Sequence, residues 1–256
     1  MSEKKKEAPP PPQKFPHRIV EYDGFKLYAG ACNHCPKDVT PWIYQFCHKK
    51  ENNWFSLVQI DYALDIFNCY GFDYYVPNLL LAKEMICDRH CRLWSYITDE
   101  DVKAIHDQAK ILYGLLHAKW ICTIKGLSQM KRKIIKKERY GQCPRVCCKQ
   151  NALMPVGISP VPNRHGVKLY CSRCSDIYNP PSHKKYDGAF FGPAFPATFL
   201  ITYPDRDYRY SFKKFPYQIF GFRLSPKGGM SPEMRALPHS TNNHRDDLIN
   251  DETAKK

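Results

Sequence analysis

No apolar run in this 256-residue sequence is long enough to cross a bilayer. The best candidate, "AFFGPAFPATFLITY", is short and interrupted by proline. The basic opening "MSEKKKEAPPPPQKFP" has no apolar stretch behind it, so no secretory signal is expected. Gly-rich phosphate loops, kinase catalytic motifs and nucleophile constellations are missing, and nothing in the chain proposes catalysis. No internal repeat is found. Acids are scarce: 25 Asp and Glu stand against 39 Lys and Arg, a formal net charge of +14. Such a surface attracts nucleic acid, anionic lipid or acidic proteins, and the charge alone does not choose among them.

Cysteine, by contrast, is plentiful. Without a secretory signal the expected setting is the cytoplasm and nucleus, where disulfides do not persist. The twelve cysteines are then read for metal-ligand spacing. "CPRVCC" at 143–148 and "CSRC" at 171–174 are two short loops of the kind that bring thiolates to a tetrahedral zinc. Cys171 and Cys174 form the second loop. In the first, Cys143 can pair with Cys147 or with Cys148, and spacing alone allows both. Four thiolates leave no open position for water, so the expected cofactor is one structural zinc per chain. "CNHCPKD" holds a further pair, Cys32 and Cys35, with Cys47 and His48 nearby. One pair without a second is a weak signal for another metal.

The expected fold class is α+β. A mainly α-helical N-terminal domain is followed by a small β-rich zinc ribbon and an extended C-terminal segment. The boundaries are a largely disordered extension over 1–41, helices over 42–139, the ribbon over 140–203, the extended segment over 204–226 and a disordered tail over 227–256. The clearest helix is "TDEDVKAIHDQAKILYGLLHAKWI". Thr98 caps it with Asp101 as capping-box partner, and Val102, Ile105, Ala109, Leu112, Leu116 and Trp120 recur at helical spacing. Further helices are expected around 61–67 and 77–87. His106 and His117 are read as structural. Beyond Tyr140, "VKLYC", "DIYNP", "AFF" and "TFLITY" read as β-prone runs. A module of that size cannot bury a large core, and a metal supplies the missing stability.

Several of these stretches, taken together, resemble the casein kinase II regulatory (beta) subunit family. "CPRVCC", "VKLYCSRC" and "DGAFFG" are similar to its C-P-R-V-Y-C, V-K-L-Y-C-P-K-C and D-G-A-Y-F-G. Upstream, "YGLLHAKWI", "WIYQFC" and "DYALDIFNCYGF" resemble Y-G-L-I-H-A-R-Y-I, W-I-S-W-F-C and D-Y-I-Q-D-K-F-N-L-T-G-L. The resemblance runs from about Trp42 to Leu224. It implies zinc ligands at Cys143, Cys148, Cys171 and Cys174, with Cys147 standing where the family has tyrosine.

The resemblance also implies a non-catalytic subunit that forms a homodimer through its ribbon and binds the catalytic subunit of casein kinase II. Pro144, Val146, Cys147, Ile177 and Tyr178 flank the ligands and are the expected dimer contacts, with local packing as the alternative. Phe220, Gly221 and Phe222 match the family's Y-G-F turn and are the expected kinase-docking residues. Two departures limit the transfer. The family's acidic loop is replaced by "DRHCRLWSYI", and its N-terminal autophosphorylation site has no counterpart. "KRKIIKKER" at 131–139 is the densest basic run: an import signal, an acidic-partner patch or a solvated helix end. The rival reading is a nucleic-acid-binding zinc-ribbon protein, favoured by charge but not by the helical motifs.

Overall fold

The computed structural model describes residues 14–33, 37–136, 140–182, 185–206, 218–220 and 222–223. The chain divides into two compact units, residues 1–212 and 213–256. Within the described residues the fold mixes seven α-helices with small antiparallel sheets.

The first unit is built on α5 (Asp99–Trp120). Thr98 Oγ1 accepts from the Asp101 amide at 3.2 Å, and Asp101 Oδ2 accepts from the Thr98 amide at 3.4 Å, a complete capping box. Asp99, Glu100 and Asp101 place negative charge at the positive end of the helix dipole. The apolar stripe from Val102 to Trp120 is buried throughout. Around it lie α1 (Trp42–His48), α2 (Ile60–Leu64), α3 (Ile66–Cys69), α4 (Leu79–Ile86) and α6 (Ile124–Ile135). The core is aromatic: Trp42, Trp54, Trp94 and Tyr113 are all fully buried. No helix of the described residues is long and apolar enough to cross a membrane.

Residues 1–41 do not all form the disordered extension expected of them. Arg18–Tyr22 (β1) pairs antiparallel with Phe25–Ala29 (β2). Asp23 and Gly24 take φ of 50° and 69°, the left-handed pair that a tight two-residue hairpin turn requires. Alternation puts Val20, Phe25, Leu27 and Ala29 inside. Arg18 donates to the Ile97 carbonyl at 2.6 Å and to Asp99 at 2.5 Å, fastening the hairpin beside the start of α5. The missed signal was the Asp-Gly dipeptide between alternating apolar residues. "DRHCRLWSYI" is also packed. Trp94 is buried, its indole N–H donates to Glu84 at 2.8 Å, and Cys32 bridges to His90 along the backbone.

Leu153–Val156 (β3), Lys168–Cys171 (β4) and Ile177–Tyr178 (β5) form one antiparallel sheet in that order. "VKLYC" and "DIYNP" are therefore strands, as read. "AFF" and "TFLITY" are not. Residues 188–190 form a single 3-10 turn, and Phe195–Thr202 is helix α7, with Pro196 in its first turn. Its β-branched residues favour strand locally, but Phe195, Phe199 and Leu200 bury against β3 and the shared core, and packing decides. That core runs without a break from the helices to Phe191 and Phe199, joining the two regions read as separate domains.

The motif "YGLLHAKW" shows why they join. Tyr113 donates its hydroxyl to the Ser56 carbonyl at 2.7 Å and accepts from the Val58 amide at 3.1 Å. His117 Nε2 accepts from the Ser56 amide at 3.0 Å, and Nδ1–H donates to the Phe190 carbonyl at 2.7 Å. Gly114 lets Phe190 lie against α5: a β-carbon there would sit 2.3 Å from the Phe190 ring. Burial lowers the His117 pKa to about 3, despite the Phe190 carbonyl, and nearby Lys133 adds to the effect. His106, which accepts from the Trp42 indole at 3.0 Å, is lowered to about 4 by burial and by Lys110. His90, stacked on Trp94 at 4.1 Å, is lowered to about 4, again by burial first.

These histidines stay neutral when folded and take protons in the unfolded chain near pH 6.5. Unfolding therefore binds protons below that value, and stability falls as pH drops from about 6.5 toward 4. Urea midpoints measured across that range should decline, and the slope should shrink in His117→Gln. A midpoint unchanged between neutral pH and pH 5 would contradict this.

Candidate metal centre

Cys143, Cys148, Cys171 and Cys174 come together with all four sulfurs within 4.8 Å of one another. Two knuckles deliver them. In the first, the Cys143 amide donates to the Asn151 carbonyl at 2.8 Å and Gln142 bridges Ala152, so the loop closes on itself. Val146–Cys148 is a 3-10 turn, and Lys149 and Gln150 follow in left-handed conformation, φ 49° and 56°. In the second, Cys171 ends β4 and the Ser175 amide returns to its carbonyl at 2.9 Å. Ser175 is left-handed too, at φ 59°. The register Leu153↔Cys171 of β3 and β4 then sets one knuckle beside the other.

The two candidates left by the spacing are separated here. Cys148 is buried within the cluster, whereas Cys147 is exposed and outside it. Cys143 and Cys174 lie 3.9 Å apart, far beyond a disulfide bond. A tetrahedron with metal–sulfur bonds of about 2.3 Å has edges of about 3.8 Å, so the spacing fits a four-thiolate zinc site. Without a cation the sulfurs differ: burial opposes ionisation of Cys174, but hydrogen bonds from Tyr178 and the Asp176 backbone bring its pKa down. Burial first, then the neighbouring Cys143 and Cys174, push the Cys148 thiol up, and burial does the same for Cys171. A dication would invert that balance and hold the thiolates.

Neighbouring polar groups complete the site. The Tyr178 hydroxyl lies 3.4 Å from Cys143 Sγ and 3.2 Å from Cys174 Sγ. Asn151 Nδ2 donates to Cys171 Sγ at 3.5 Å. Such donors orient metal-bound thiolates and temper their charge. Sequence reasoning missed both roles. Tyr178, expected among the dimer contacts, is half-buried in the chain with its hydroxyl on the sulfurs. Nothing in the sequence singled out Asn151. Pro144, Val146, Cys147 and Ile177 do point outward, and Val146 is 93% exposed.

Cys35, the second member of the pair Cys32/Cys35, lies outside the described residues. The Cys47 thiol sits 3.1 Å from the Tyr113 hydroxyl, with burial raising its pKa to about 11. Among the described residues there is no second metal-holding group.

In the second unit, Gln218–Ile219 (β6) and Phe222–Arg223 (β7) pair as a two-stranded hairpin, with Ile219 opposite Phe222. Phe220 is 96% exposed and Phe222 is 78% exposed. Phe220 also has φ of 51°, a backbone state that bulky side chains rarely adopt. Gly221 lies outside the described residues.

A closed sulfur knuckle on a helical scaffold, with bare aromatics on a separate hairpin, defines a protein that works by binding. Residues 41–223 match the family described as casein kinase II regulatory subunit. The chain is 38% identical over 194 residues to an Arabidopsis thaliana protein named putative casein kinase II subunit beta-4, covering 74% of this chain and 68% of that one. It is 37% identical to casein kinase II subunit beta of Dictyostelium discoideum, covering 73% and 70%. It is 36% identical to casein kinase II subunit beta' of Drosophila melanogaster, covering 74% and 86%. The chain belongs to the casein kinase II regulatory subunit family, and its role is regulatory, not catalytic. The hairpin of β1 and β2 lies outside the matched residues.

Proposed function

We propose that this chain binds one structural zinc through Cys143, Cys148, Cys171 and Cys174, and that the knuckles so fixed present an apolar face to a second copy. Pro144, Val146, Cys147 and Ile177 form that face, and a two-fold axis lets one patch serve both subunits. Tyr178 supports it from behind by holding the sulfurs. Each subunit then binds one casein kinase II catalytic subunit through Phe220, Gly221 and Phe222. Regulation is by binding: the dimer stabilises the kinase and alters which substrates reach its active site, in the cytoplasm and nucleus.

The observation that carries this reading is the four-sulfur cluster inside a family match spanning 41–223. The nucleic-acid alternative rests on the net charge of +14, the basic run at 131–139 and the ribbon alone, and the helical motifs do not support it. Affinity purification from cells tests the choice. A catalytic subunit should be recovered in equal amount and survive moderate salt. Recovery of nucleic acid alone, released steeply as salt rises, would favour the alternative.

A further inference from the structure

We propose that the cleft between the end of α1 and the last turns of α6 is a docking site for an acidic polypeptide segment with an apolar side chain at its centre. This goes beyond the kinase-binding reading and does not depend on it.

The cleft has a volume of about 840 Å³, and among the described residues no carboxylate lines it. Lys49, Lys50, Arg132, Lys133 and Lys136 do. Two of these are engaged. Lys49 pairs with Asp23 at 3.4 Å and Glu51 at 3.7 Å. Lys133 donates to the Asn53 and Trp54 carbonyls at 3.4 and 3.3 Å and to that of Phe55. The other three are exposed, and among the described residues none of them has an ion-pair partner.

Arg132, in the last turn of α6, and Lys136, its C-cap, are four residues apart, where like charges repel. The helix dipole accounts for cations at the end of α6. Lys50 enters the same cleft from the turn after α1 and adds to the repulsion. A polyanion would relieve it. The basic run at 131–139 is thus divided in its described part. Lys131 lies over the Tyr203 ring at 3.9 Å and Lys133 caps carbonyls, while Arg132 and Lys136 face the cleft.

The rest of the lining selects the kind of polyanion. Leu57 and Ile135 are 44% and 46% exposed in the same cleft. A purely ionic ligand such as polyphosphate leaves them uncovered. Single-stranded nucleic acid needs aromatic faces for its bases. Of the two rings lining the cleft, Phe55 is 4% exposed, and the exposed His48 ring has one face covered by Tyr44, stacked on it at 3.6 Å. An acidic peptide with a leucine or phenylalanine between its carboxylates satisfies both surfaces.

Fluorescence anisotropy of the full chain tests this with a labelled peptide of glutamates around a central Leu-Phe pair. Arg132→Glu with Lys136→Glu should weaken binding by about tenfold or more. Arg89→Glu with Arg92→Glu, the same charge change outside the cleft, should leave it unchanged. Leu57→Ser should lower the affinity to that of a peptide carrying Ser-Ser in place of Leu-Phe. If the charge-reversed pair alters zinc content or melting, Arg132→Gln with Lys136→Gln replaces it, with the same direction expected. Equal binding by wild type and the cleft variant would overturn the proposal. So would a Ser-Ser peptide or polyuridylate binding as tightly as the Leu-Phe peptide.

Discussion

Cys174→Ser and Cys148→Ser should each lose the metal from this chain, and Cys147→Ser should keep it. The contrast follows from geometry: Cys147 is one residue from Cys148 yet is exposed and outside the group of four sulfurs. In small metal modules the binding free energy is folding free energy, about 10–16 kcal/mol for structural zinc. The strands behind the knuckles join the shared core through Leu153, Met154 and Leu169, but the knuckle loops themselves have little else to hold them. The sheet of β3, β4 and β5 is short, and the ion pair between Arg145 and Asp176, at 2.6 Å, is exposed and worth little. Each ligand mutant should therefore show fast amide exchange in the two knuckles, 143–151 and 171–178. The helical signal should persist, because the aromatic core around α5 does not rest on the sulfurs. Metal analysis of the three purified variants checks this. Zinc lost from Cys147→Ser and kept in Cys148→Ser would reverse the ligand assignment.

Phe220→Ala and Phe222→Ala should each weaken binding of the casein kinase II catalytic subunit by about 2–4 kcal/mol. Two rings exposed at 96% and 78% on one small hairpin are costly in water and are well placed to enter a partner's groove. The positive φ of Phe220 points the same way, since left-handed backbone under a bulky side chain persists where function requires it. Alanine keeps the backbone demand and removes only the ring. Zinc content should be unchanged, as the ligands belong to the other unit. Calorimetry on the single and double variants measures the effect, and wild-type affinity in the double variant would place docking elsewhere.

How legible was this protein in its sequence? The long helix was read with its cap, because Thr98, Asp101 and the stripe to Trp120 agree at every level. The sulfur site was legible as two loops, but the choice between Cys147 and Cys148 was not. It depends on a 3-10 turn and two left-handed residues that no spacing rule encodes. The resemblance made that choice, and the sulfur geometry agrees with it. The β1–β2 hairpin was lost in a proline-rich, charged context, although Asp23-Gly24 announced it. "TFLITY" became a helix because Phe195 and Phe199 find their burial there, which propensity cannot foresee. Tyr178 could be named but not aimed: its neighbours in sequence say nothing of where its hydroxyl goes.

As proposed above, the chain is a zinc-stapled dimer that carries kinase subunits. Native mass spectrometry of the chain mixed with a casein kinase II catalytic subunit tests it most directly. One dominant assembly of two chains, two zinc ions and two catalytic subunits is expected. A chain that stays apart from the catalytic subunit with its zinc in place would contradict it.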